Sequence, residues 1–131
     1  AFVWKNEGIA ENIYIYHNIV ECANAGDRAA SILDTYHGDK IKNWVVKNNV
    51  FICPKDQPRK LFQDKGGAGK SMAFASNLCV NVTDTPEGTI TGKDPEFLAR
   101  GGRLNSYYLP KDEKSPLVDA GVDVGLKFQG K

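Results

Sequence analysis

Three stretches of the chain align with one another without gaps, and this self-similarity limits the available folds more than any other feature. They are Asn12-Ile-Tyr-Ile-Tyr-His-Asn18-Ile-Val20, Asn43-Trp-Val-Val-Lys-Asn-Asn49-Val-Phe51 and Ser71-Met-Ala-Phe-Ala-Ser-Asn77-Leu-Cys79. The offset is 31 from Asn18 to Asn49 and 28 from Asn49 to Asn77. Within each copy one parity is apolar: Ile13, Trp44 and Met72, then Ile15, Val46 and Phe74. The other parity is mixed: Tyr14, Val45 and Ala73, then Tyr16, Lys47 and Ala75. Alternation with period two predicts a strand with one buried face.

A second set repeats in the same register. Phe2-Val3, Ile32-Leu33 and Leu61-Phe62 sit 30 and 29 residues apart. Each copy is therefore expected to hold two short strands. Turn-rich connections separate them, such as Ala25-Gly26-Asp27, His37-Gly38-Asp39 and Gly66-Gly67-Ala68-Gly69. No segment shows the apolar stripe of a crossover helix, so a βαβ layout is excluded. Short strands at a fixed period without helices predict a parallel β-solenoid, in which one turn of chain forms one rung. Ile13, Trp44 and Met72 should then stack in the core. Asn18, Asn49 and Asn77 should stack at a corner, each side-chain amide bonding the next and tolerating left-handed backbone.

Composition agrees with an all-β globular chain. Of 131 residues, 41% are apolar and 25% charged, while Leu and Glu are sparse and Gly reaches 13. The formal net charge of +1 provides no cationic excess for a nucleic-acid partner. No apolar run is long enough for a membrane helix, and no signal peptide is visible at Ala1-Phe2-Val3-Trp4-Lys5. Cys22, Cys53 and Cys79 have no zinc-type spacing. Cys22 and Cys53 stand at the same distance after a ladder Asn, so they should be vertical neighbours. A buried thiol ladder is the first reading, and a disulfide between rungs is the second.

The Asn-Ile-Tyr-Ile-Tyr-His-Asn and Asn-Asn-Val-Phe segments, with the tail, resemble the final coils of right-handed parallel β-helix proteins of the pectate-lyase-like superfamily. In the tail, Gly92-Lys-Asp-Pro-Glu-Phe97, Arg103-Leu104, Tyr108-Leu109, Ser115-Pro-Leu-Val-Asp-Ala-Gly121 and Asp123-Val-Gly125 are similar to a terminal pattern of bacterial polysaccharide-acting members. The resemblance implies about three coils over residues 1–83 and an irregular C-terminal cover over residues 84–131, together one domain. Phe97, Leu104, Leu109, Leu117 and Val118 would anchor that cover. The chain is then expected to be the C-terminal part of a larger β-helix, with the remainder of the same helix as its neighbour. The implied setting is extracytoplasmic, secreted or periplasmic, and the implied partner is a polysaccharide or glycan. The first functional reading is a polysaccharide lyase or glycoside hydrolase. The alternative is a non-catalytic carbohydrate-binding or adhesive module.

Lyases of this kind hold calcium with acidic residues and use Lys or Arg as base, whereas glycosidases use paired carboxylates. The candidates here are Asp34 and Asp64, which fall at matching places in successive repeats, with His37 and Lys47. Tyr14 and Tyr16, outward on the second strand set, are candidates for stacking on sugar rings. Each also has a plainer reading, as a solvated turn residue or a solubilising outward side chain. Calcium would be the cofactor of a lyase. Lys65-Gly-Gly-Ala-Gly-Lys70-Ser71 also matches the phosphate-binding loop of ParA-like ATPases. That third reading lacks the preceding βαβ pattern, and Ser71 onward falls in strand register, so a glycine-rich turn is expected.

Overall fold

The computed structural model describes residues 2–4, 8–22, 31–35, 38–64, 67–97 and 108–124. Among these the regular structure is strand, apart from two short 3-10 turns, Gly38–Lys40 and Ala68–Ser71. The strands are β1 (Phe2–Trp4), β2 (Ala10–Tyr16), β3 (Ile19–Glu21), β4 (Ser31–Thr35), β5 (Ile41–Lys47) and β6 (Val50–Ile52). They continue as β7 (Arg59–Asp64), β8 (Met72–Ala75), β9 (Leu78–Val80), β10 (Val82–Thr83) and β11 (Ile90–Thr91).

Three sheets result, in the orders β1-β4-β7-β10, β2-β5-β8 and β3-β6-β9-β11. Every pair in them is parallel. In each sheet the pairing skips from one repeat to the next, so the all-β, parallel class expected from the repeats holds. Each repeat contributes three strands, however, rather than two. The third, β3, β6 or β9, is hidden in the sequence because it follows β2, β5 or β8 almost at once.

The break between them is a left-handed residue. His17, Asn48 and Ser76 have φ of 53°, 55° and 48°. Such backbone costs roughly 1–2 kcal/mol for a residue with a Cβ. The ladder asparagines are expected to tolerate such backbone; the left-handed residue is the one before each of them. The ladder itself forms as expected. Asn18 Nδ2 donates to Asn49 Oδ1 at 3.0 Å, and Asn49 Nδ2 to Asn77 Oδ1 at 2.9 Å. A second, exposed step links Asn43 Nδ2 to Asn12 Oδ1 at 2.7 Å.

The main core lies between the sheets. Ile32, Leu33 and Leu61 from the first sheet meet Val46 from the second and Phe51, Cys53 and Cys79 from the third. Ile13, Trp44 and Met72 stack in register as the repeats require, and Trp44 Nε1 donates to the Ala10 carbonyl at 3.2 Å.

The opposite parity of the third sheet is apolar as well. Val50, Ile52 and Leu78 are buried beneath Phe97, with Tyr108 and Leu117 packed alongside. The tail therefore covers a side face. Phe97 and Leu117 are its anchors, Leu109 and Val118 stay exposed, and Leu104 lies outside the described residues. Phe97 and Tyr108 meet edge to face at 5.2 Å. Ser115 Oγ donates to the Pro95 carbonyl at 2.6 Å. Asn48 clamps the far end: its Nδ2 donates to the Val122 carbonyl at 2.7 Å, and its Oδ1 accepts from the Val122 amide at 2.9 Å.

Candidate functional site

With β6 and β9 of the third sheet covered by the tail, the outer face of β2-β5-β8 is the surface that gathers chemistry-bearing side chains. Ile13 and Ile15 turn inward, so Tyr14 and Tyr16 turn outward. In register above them lie Val45 and Lys47 on β5, then Ala73 and Ala75 on β8. The pattern descends from aromatic to small across three strands spaced about 4.8 Å apart. Tyr14 is 49% exposed and Tyr16 half-buried, with ring centroids 5.7 Å apart and planes tilted by 42°. His17, exposed at the corner, meets the Tyr16 ring edge-on at 6.4 Å. Burial, then the neighbouring Tyr14, raises the Tyr16 phenol above its ordinary range. The phenol is therefore a neutral hydrogen-bonding group at any physiological pH.

Polar groups border this aromatic row. Lys47 sits in the ladder directly between Tyr16 and Ala75 and is half-buried. At the other end of the strands, Lys42 and Glu11 form an exposed ion pair at 3.9 Å beside the Asn12–Asn43 step. Behind His17, a small cavity of about 110 Å³ opens between Asn48, Ser76, Leu117 and Gly121. Sequence reasoning missed His17. The signal available was its position immediately before a ladder Asn, the place Asn48 and Ser76 occupy in the other repeats.

The acidic candidates do not join this face. Asp34 lies near the end of β4 and Asp64 ends β7, both in the first sheet. Their expected matching places fail by one position: Asp34 pairs with Gln63, and Asp64 with Thr35. Such an offset puts the two side chains on opposite sides of the sheet. Asp34 is half-buried and Asp64 exposed. The Asp64 carboxylate leans on the glycine-rich turn, where a Cβ on Gly69 would come within 3.1 Å of Oδ2. Lys47 ends β5, whose start follows β4, so about 20 Å of strand separates it from the Asp34 end. His37 lies outside the described residues. Among the described residues, no group of three or more His, Cys, Asp or Glu is arranged to hold a metal ion. Those residues do not fit the calcium of a lyase.

The phosphate-loop motif lies elsewhere again. Ala68–Ser71 is one 3-10 turn that passes straight into β8, with Gly67 left-handed at φ 82° and Lys70 exposed. A phosphate-binding loop needs a full helix whose N-terminal amides point at the ligand, and this turn supplies none. Among the described residues no helix is long and apolar enough to cross a membrane. No protein-family model, no curated protein and no solved structure matches the chain.

Proposed function

We propose that the chain forms coils of a right-handed parallel β-helix of the pectate-lyase-like kind, and that the outer face of β2-β5-β8 binds a polysaccharide. The observation that supports this is the outward Tyr14–Tyr16 pair at 5.7 Å with Lys47 next in the ladder. Sugar rings present C–H faces that pack on aromatic rings, while their hydroxyls and carboxylates seek hydrogen-bond donors. An extended glycan can lie across stacked strands and meet one outward row after another. The small side chains of Ala73 and Ala75 leave the third strand open to it. A secreted or periplasmic setting goes with such a ligand.

Recognition comes ahead of catalysis in this reading. A lyase needs a base close to acids that hold the substrate carboxylate, and a glycosidase needs two carboxyl groups flanking the bond. Lys47 is the catalytic candidate on the face, and Asp34 and Asp64 belong to another sheet. The test is affinity electrophoresis or calorimetry against a panel of acidic and neutral polysaccharides. Tyr16→Ala and Lys47→Ala should each weaken binding about tenfold, equivalent to about 1.4 kcal/mol. Lys60→Ala, on the first sheet, should leave it unchanged. Equal losses in all three variants, or no binding by the wild-type chain, would remove the proposal. Release of unsaturated uronate by this chain would move the reading to a lyase.

A further inference from the structure

We propose that Cys22 and Cys53 form a thiol–disulfide exchange site that takes a low-molecular-weight disulfide from an adjoining cavity and closes into a covalent bridge between neighbouring repeats. The placement follows from strand register. Glu21 pairs with Ile52, so the next residues, Cys22 and Cys53, lie opposite each other. The Cys22 amide donates to the Ile52 carbonyl at 2.8 Å, and the Cys53 amide to the Val80 carbonyl at 3.0 Å, which extends the ladder through both cysteines. Parallel neighbours in register have Cα atoms about 4.8 Å apart, inside the range of roughly 4.4–6.8 Å that a disulfide spans. Both thiols are free, and the Cys22 thiol is close enough to help raise the Cys53 thiol above its ordinary range.

A cavity of about 390 Å³ gives the pair access to a reagent. Cys22, Cys53, Lys55 and Asp94 are on its wall. Cys22 is half-buried there, whereas Cys53 is 2% exposed. This difference orders the chemistry. Burial, and then the adjacent Cys22, push the Cys53 thiol up to about 12, so Cys53 is not the group that attacks first. The Cys22 thiolate attacks one sulfur of the small disulfide. That S–S bond breaks and one thiol leaves, taking a proton from solvent. Cys53 then loses its proton, attacks Cys22 Sγ in the mixed disulfide and expels the second thiol. Two protein thiols are oxidised by two electrons, and one small disulfide is reduced to two thiols. A deprotonated thiol of high pKa is a strong nucleophile, and its target is its neighbour in the ladder. Cys79 takes no part: it lies opposite Phe51 inside the closed core and does not line the cavity.

The test is to incubate the wild-type chain with glutathione disulfide at pH 8, alkylate what remains, and map the peptides by mass spectrometry. The expected product is a Cys22–Cys53 cross-link with Cys79 alkylated after denaturation, and a mass loss of about 2 Da before alkylation. Three outcomes would overturn the proposal: all three thiols still free, a stable mixed disulfide at Cys22 in the wild type, or a bridge that includes Cys79. In Cys53→Ala the glutathione adduct should accumulate on Cys22, and in Cys22→Ser neither remaining cysteine should react. The oxidised chain should also unfold at higher urea concentration than the reduced one, because the bridge closes a loop one full repeat long in the unfolded state; no shift would mean that the bridge does not lock the repeats.

Discussion

Asn49 is 1% exposed and uses its whole side chain. Its Oδ1 accepts from the Asn18 amide and from Asn18 Nδ2, both at 3.0 Å. Its Nδ2 donates to the carbonyls of Ile15 at 2.8 Å and Lys47 at 2.9 Å, and to Asn77 Oδ1. These carbonyls sit where the chain turns the corner between two strands. An orphaned buried polar group costs about 1–3 kcal/mol. Asn49→Ala should therefore lower urea stability by roughly 3 kcal/mol or more, counting several such groups. Asn18→Ala, at an exposed position, should cost under about 1 kcal/mol, within the range of one ordinary hydrogen bond. The ladder is legible in the sequence as three asparagines in one register. The left-handed turn at His17, Asn48 and Ser76 is not. A histidine, an asparagine and a serine share no obvious signal, and the Asn48 and Ser76 amides bond the Ala75 and Gly88 carbonyls only once the repeats stack.

At the scale of elements, the third sheet carries the most information. Strands β6 and β9 are apolar on both parities: Phe51 and Cys79 face the inner core, while Val50, Ile52 and Leu78 face the tail. A strand buried on both sides loses the period-two alternation that marks a strand in sequence. This explains why the sequence suggests two strands per repeat where the fold has three. The same burial makes the tail part of the folded unit. Its attachment at Asn48 is a reciprocal pair of bonds to Val122, and the Asn48 side chain also lies close to Gly121, where an added Cβ would meet it at 3.6 Å. Asn48→Ala should release residues 118–124 while the sheets stay intact. Hydrogen exchange would register this as faster exchange at Val122, with protection of Val46 and Phe51 unchanged. Loss of protection throughout the sheets would show that the clamp supports the whole fold.

Taken as a whole, the molecule encloses a core with side chains from three sheets, and two of its thiols lie inside. Burial, then Cys22, raises the Cys53 thiol to about 12; burial, then Cys53, raises Cys79 to about 12 as well. In the unfolded chain these thiols ionise near their ordinary value of 9.0. Between pH 9 and 12 the unfolded state therefore holds fewer protons than the folded one, and stability falls as pH rises. Below that window both states are protonated and the contribution is fully present. Urea midpoints should be flat from pH 6 to 8 and decline above 9, and Cys79→Ala should reduce the slope of the decline.

The residues alone determined that the chain is all-β, that it repeats at a near-constant period, that Ile13, Trp44 and Met72 form one column, and that the asparagines form another. Each of these follows from side-chain type at fixed spacing, which is local information. The tertiary structure decided the register of each sheet and the fate of each face. The offset differs from one pairing to the next: Ile13 lies opposite Trp44, Trp44 opposite Met72 and Leu33 opposite Phe62. Parallel neighbours are joined only by hydrogen bonds across a whole repeat of intervening chain, so the lengths of the connections set the pairing. A change of a single position there turns a side chain to the other side of its sheet. This is why Asp34, which meets Gln63, is separated from Asp64, while Tyr16 meets Lys47 directly and shares the outer face with it.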